Sequence, residues 1–173
     1  MKETGILRRI DELGRIVIPK EIRKKLKIRE GDNIDIFVSD DTVILKKYSL
    51  LKDLDNILAI LLEGYRQYGN ISLVVTNLDH VISSNVSDVS VNDIITGELL
   101  EKILNKETII INKNFPFKIT DKNETGSYLI IKPIIVYGDV FGSVILISDF
   151  EVTNHKNTML DLIHYFCVRY IQE

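Results

Sequence analysis

Apolar residues recur along this chain in two different rhythms. As far as Tyr48 they fall in short runs of β-branched residues interrupted by charge, and beyond Lys52 they gather into helical stripes and longer apolar strands. In the first part, Gly5–Ile10 and Arg15–Ile18 read as strands around an Asp11-Glu12-Leu13-Gly14 turn. Pro19 suits the first position of a two-turn helix over Lys20–Leu26, where its fixed φ and missing N–H cost nothing. Glu30-Gly31-Asp32 is a turn. Asn33–Val38 then sets Ile34, Ile36 and Val38 on one face, and Thr42–Tyr48 follows a tight Asp40-Asp41 turn.

The second part opens with a helix from Asp53 to Tyr68, striped by Leu54, Ile57, Leu58, Leu61 and Tyr65 at helical spacing. Ile60 and Leu62 widen that apolar surface, so the helix has more than one face to cover. Ile71–Thr76 is suited to a buried strand, with Val81–Ser84 pairing back onto it. Asp93–Leu104 reads as a helix and Thr108–Asn112 as a strand. Tyr128–Tyr137 and Val140–Ser148 flank Gly138-Asp139, a two-residue hairpin signal. Pro133 cannot donate to a ladder, so its strand needs an edge or a bulge there. A helix from Thr153 to Ile171 closes the chain, with Leu160, Ile163, Phe166, Cys167 and Tyr170 on a wide apolar face. Two terminal helices enclosing an antiparallel sheet make an α+β domain.

The boundaries that follow are 1–50 for a first domain, 51–56 for a linker running into helix, and 57–173 for a second domain. About fifty residues with four short strands and one short helix bury too little surface to be stable alone. The single cysteine, Cys167, excludes an internal disulfide, and the three histidines show no metal-ligand spacing. The first domain is therefore expected to fold by interleaving with a second copy.

Charge changes the picture next. Residues 1–29 hold ten Lys+Arg against four Asp+Glu, which leaves twelve against twenty-one over residues 30–173. A basic end on an acidic chain of net charge −3 points to a polyanionic partner engaged by that end, with double-stranded DNA in first place. Around the short helix, Ile22 and Leu26 face the core and Glu21 pairs with Lys25 at i,i+4. Lys20, Arg23, Lys24 and Lys27 share the remaining side. A solvated surface helix would look similar. The helix is too short to read a major groove by itself, and no helix precedes it, which disfavours a helix-turn-helix. Arg8 and Arg9 on the first strand and Arg15 opening the second would extend the same basic surface.

GILRRIDELGRIVIPKEIRKKLKIREGD followed by IDIFVSDDTVILKKY closely resembles the AbrB-type swapped-hairpin DNA-binding domain, and LGRIVIPKEIR is its most specific part. The resemblance implies an intertwined dimer whose hairpins build a β-barrel from two chains. It assigns DNA contact to Arg8, Arg15 and Arg23, to Lys24 where a second arginine is common in the family, and to Arg9 as a usually basic position. The layout beyond Asp53 is similar to GAF-like domains, in the order helix, strands, helix, strand, long hairpin, helix. In the branch of the family with this layout, the resemblance implies a homotetramer and a regulator that activates some sporulation-stage genes and represses others.

A GAF-like domain has two open uses, dimerisation or sensing of a small-molecule effector. Polar candidates for the second use lie in the Ser83–Asp93 and Asn112–Gly126 loops, and no cofactor-binding residue is picked out. Some GAF proteins reduce methionine sulfoxide with several cysteines; Cys167 has no resolving partner, and no catalytic constellation, cofactor motif or metal set stands out. The expected protein is not an enzyme. It is cytoplasmic and nucleoid-associated, since it has neither a signal core nor an apolar run of membrane-spanning length. Swapped-hairpin domains also serve antitoxins, and a metabolite-responsive repressor outside sporulation is a further alternative.

Overall fold

Local patterning decides most of the architecture seen in the computed structural model, which describes residues 6–26, 28, 30, 34–47 and 50–172. The chain divides into two units, Met1–Tyr48 and Ser49–Glu173. In the first unit, α1 (Lys20–Lys25) is followed by β1 (Ile34–Ser39) and β2 (Thr42–Lys47), an antiparallel hairpin turning at Asp40 with φ +48°. Ser39 faces Thr42 across that turn, as the sequence pattern predicts. Pro19 is the N-cap of α1 (φ −56°, ψ 147°), one position earlier than predicted. Lys27, Gly31, Asp32 and Tyr48, which carried parts of the expectations above, lie outside the described residues.

Residues 6–10 and 15–18 are not strands within this chain. They run without a ladder partner on either side of the turn. The physical reason is that a strand needs a neighbour to satisfy its backbone N–H and C=O groups, and among the described residues this unit offers only the β1–β2 pair. Its apolar side chains are equally unpartnered. Among the described residues of this unit only Pro19 is buried, and twelve large apolar side chains between Ile6 and Ile44 are exposed.

The second unit is an α+β domain. Its helices are α2 (Asp55–Gly69), preceded by a 3-10 turn at Leu50–Leu54, α3 (Gly97–Leu104) and α4 (Asn154–Gln172). Its strands are β3 (Ser72–Thr76), β4 (Val81–Ser84), β5 (Ile109–Ile111), β6 (Tyr128–Val136) and β7 (Asp139–Ser148). They form one antiparallel sheet in the order β4-β3-β7-β6-β5. The central strands read as continuous apolar runs because both faces are covered. Leu73, Val75, Ile130, Val144 and Leu146 point to one core, and Val74, Leu129, Ile131 and Ile145 to the other.

The two terminal helices, α2 and α4, do not enclose the sheet from opposite sides. Leu54, Leu58 and Leu62 pack with Leu160, Ile163 and Cys167 of α4 in a single cluster on one face. The other face is closed by Leu99 and Ile103 of α3 together with Val89, Ile95, Phe117 and Ile119 from loops. Helical periodicity gives a stripe but not the sheet face it meets. The helix α3 starts four residues later than predicted because Thr96 caps it, accepting from the Leu99 N–H (3.2 Å) and donating to the Lys118 carbonyl (2.7 Å).

The β6–β7 hairpin turns at Tyr137-Gly138, one residue before the predicted pair, with φ +51° and +89°; Val136 faces Asp139. Two successive left-handed residues make the turn that matches strand twist. Pro133 lies beyond the three residues of β6 that pair with β5 and faces Ser143 of β7 beside a register shift at Ile134/Ile135, so its missing N–H takes no bond from the β5 ladder. Its carbonyl accepts from His164 Nε2 (2.8 Å), and burial holds that imidazole below its ordinary pKa, which keeps it a neutral structural donor. Burial also pushes the Cys167 thiol up to about 12.

Candidate nucleic-acid interface

The basic surface is built from a turn and a short helix. Gly14 adopts φ +75°, and the turn closes with Gly14 N–H to Asp11 C=O (2.9 Å) and Asp11 N–H to Arg15 C=O (3.0 Å). The Asp11 carboxylate works across the same turn. Oδ1 accepts from the N–H groups of Leu13 (3.0 Å) and Arg15 (2.8 Å), while Oδ2 accepts from Arg15 Nε (2.7 Å). Hydrogen bonds from the Arg15 backbone and then its side chain hold the Asp11 carboxyl below the usual carboxylate range.

Beyond the turn, Pro19 hands the chain into α1 through Arg23 N–H to Pro19 C=O (2.9 Å), and Ile28 N–H to Arg23 C=O (2.8 Å) ends it. With the first turn carrying Glu21 and the last Arg23, Lys24 and Lys25, the charges complement the helix dipole. Arg8, Arg9, Arg15, Arg23 and Lys24, all nominated from the sequence, are exposed. Arg8 Nη1 donates to the Leu7 carbonyl (3.1 Å), whereas Arg9, Arg23 and Lys24 form no ion pair among the described residues. The expected Glu21–Lys25 pair is not made: both side chains are exposed, where such a contact is worth only tenths of a kcal/mol and does not fix two flexible chains. Lys25 therefore stays available with its neighbours.

Asp11 is the residue organising this basic turn that sequence reasoning passed over. An aspartate opening a turn that holds a glycine is the available signal, because its side chain mimics a backbone acceptor.

The polar loops of the second unit are used internally. Asn85 bridges three backbone groups, accepting from Leu73 N–H (2.8 Å) and donating to the carbonyls of Leu62 (2.6 Å) and Ile71 (2.9 Å). Asp93 is buried, bonded to Lys122 Nζ (2.5 Å) and the Ser90 N–H (2.9 Å), and its carboxyl is held low chiefly by Lys122. Only Thr120 Oγ1 and Asn123 Oδ1 are buried there without a protein hydrogen bond among the described residues. No group of three or more His, Cys, Asp or Glu among the described residues could hold a metal ion. No described helix is long and apolar enough to cross a membrane.

Comparison with known proteins matches both units separately. The family model described as stage V sporulation protein T C-terminal, transcription factor, covers residues 53–165. The model described as antidote-toxin recognition MazE, bacterial antitoxin, covers residues 7–53. Transition state regulatory protein AbrB of Bacillus subtilis (strain 168) is 58% identical over 48 residues, 28% of this chain and 50% of its own. The solution structure of the N-domain of the transcription factor abrB shares 57% identity over 28% of this chain and 94% of that one, with a TM-score of 0.27. An A. aeolicus nlh2 GAF domain covers 71% of this chain and 93% of that one at 13% identity and TM-score 0.49. With the exposed basic turn and helix, the family models and the AbrB sequence match define a transcription regulator carrying an AbrB-type DNA-recognition domain.

Stage V sporulation protein T of Bacillus subtilis (strain 168) is 38% identical over 156 residues, covering 86% of this chain and 85% of that protein. The chain belongs to the stage V sporulation protein T family.

Proposed function

We propose that this chain is a cytoplasmic, nucleoid-associated regulator that binds double-stranded DNA through an interleaved pair of its first units, activating some sporulation-stage genes and repressing others. The observation that carries it is the first unit's composition of surface: unburied apolar side chains for a second chain, and Arg8, Arg9, Arg15, Arg23 and Lys24 for DNA. Interleaving would give residues 6–10 and 15–18 the ladder neighbours they lack. Duplex binding by the full-length protein should be steeply salt-dependent, log K falling by about 0.9 per phosphate neutralised against log salt. A flat response in a fluorescence-anisotropy titration would remove the cationic surface from the account.

Two such pairs joining through the second units make a tetramer. Support comes from exposed Ile57, Ile60 and Tyr68 on α2, Leu162 and Tyr165 on α4, and an apolar groove of about 400 Å³ lined by Ile60, Leu61, Tyr65, Tyr68, His155 and Met159. Light scattering should report a tetramer for the parent and a dimer for Ile60→Lys; an unchanged mass would place the second interface elsewhere.

A metabolite-responsive reading draws on Thr120 Oγ1 and Asn123 Oδ1, whose burial without partners leaves two acceptors for an effector's donors. Stabilisation in a thermal-shift screen of nucleotides and amino acids, lost in Asn123→Leu, is its expected result; no shift with any compound leaves association as the second unit's role. An antitoxin role rests on the short match over residues 7–53 alone. The packed second unit stands where a toxin-wrapping tail would be, and copurification of a small toxin would be needed to restore that role.

A further inference from the structure

Asp11 places a negative charge inside a surface otherwise suited to DNA, which by simple electrostatics should weaken binding to any duplex. Its carboxylate is nevertheless aimed at Arg15, and the two groups form an ion pair through Nε at 2.7 Å. A guanidinium carries five N–H donors, and committing Nε leaves the four on Nη1 and Nη2 free. The same carboxylate also holds the backbone N–H groups of Leu13 and Arg15, so the anchor is fixed to the turn rather than to a mobile side chain. A long side chain loses rotamer freedom when it docks, and one already tethered at Nε loses less. Tethering matters most for a contact with strict geometry. A bidentate bond to the O6 and N7 edge of guanine is such a contact, whereas a phosphate accepts many approaches.

We propose that Asp11 is a positioning residue for sequence readout, holding Arg15 so that its two terminal nitrogens form a fixed fork toward a guanine edge. This role rests on the reading of Arg15 as a DNA-facing residue. Asp11 then raises the preference for the right sequence while lowering affinity for duplexes at large.

The test is a competition titration of full-length protein between a duplex selected from genomic DNA and a random-sequence duplex of equal length. Asp11→Asn keeps an acceptor for the Leu13 and Arg15 N–H groups but cannot accept from Nε as a carboxylate does. It should lose about tenfold in the ratio of selected to random binding, within the range of one bidentate base contact. Its affinity for the random duplex should hold or rise. In an Arg15→Ala background the same substitution should leave the ratio unchanged. Arg15→Lys, which leaves the turn intact and removes the fork, should show the ratio loss of Asp11→Asn even if that variant folds poorly. An unchanged ratio in either Asp11→Asn or Arg15→Lys overturns the role. So does an equal loss from Asp11→Asn with and without Arg15, which marks a purely structural turn. A parent protein that binds neither duplex overturns the DNA-facing reading of Arg15 and this role with it.

Discussion

The double variant Arg8→Ala/Arg23→Ala should keep the parent's fold and oligomeric mass and lose at least about 30-fold in affinity for its selected duplex, at about 1 kcal/mol or more per arginine contact. Arg8 sits on the segment before the Asp11 turn and Arg23 in α1. Both are exposed, and neither is joined to an acid among the described residues. Removing them deletes no buried contact, so stability should move by less than about 0.5 kcal/mol. The salt slope should fall by about 0.9 for each of the two that neutralises a phosphate. Unchanged affinity in an anisotropy titration would sink the assignment of these arginines, and unfolding would show that they hold the unit together instead.

Gly142→Ala should be the most damaging small substitution in the second unit, lowering the melting temperature by about 10 °C for a cost of about 3 kcal/mol. Gly142 faces Ile134 in the β6–β7 ladder, and the neighbouring Ser143 faces Thr76 of β3. A methyl at this glycine would overlap the Thr76 carbonyl oxygen and sit 2.8 Å from the Asn77 Cα. Both obstacles are backbone, so no side chain can swing away. Relief requires β3 and β7 to part, at the expense of the buried Thr76 Oγ1–Ser143 Oγ hydrogen bond of 2.9 Å. Gly126→Ala is the matched control, with open space at its Cβ position and no left-handed φ. Equal melting curves for the two variants would show that the β3–β7 junction yields more easily than its packing implies.

Much of the second unit was legible because its signals are local. Apolar runs bounded by polar turns gave β3, β4, β6 and β7 nearly to the residue, and Pro133 announced the irregularity beside it. What escaped was set by tertiary partners. The stripes of α2 and α4 could not say that both would lie on one sheet face, since periodicity carries no information about which layer a helix joins. Asn85 looked like a loop residue open to a ligand and is a bridge between α2 and β3, a use visible only once the strand start and the middle of the helix converge.

In the basic unit the cations were legible as a group, while their individual states were not. Glu21 and Lys25 have helical spacing and make no pair; Asp11 and Arg15 sit across a turn and do. The turn succeeds because one carboxylate also satisfies two backbone donors, which fixes the acid before the arginine arrives. The strands predicted at 5–10 and 15–18 are not completed within one chain, where no described neighbour pairs with them; in the proposed interleaved pair another copy would supply it.

That dependence on a second copy is the centre of the account, and hydrogen exchange of the full-length protein, free and bound to its selected duplex, tests it most directly. Amides of residues 6–10 and 15–17 should be protected in the free protein, where a lone chain leaves them without ladder partners, and α1 should gain protection with DNA. Rapid exchange at residues 6–10 and 15–17 in both states would contradict an interleaved DNA-reading dimer.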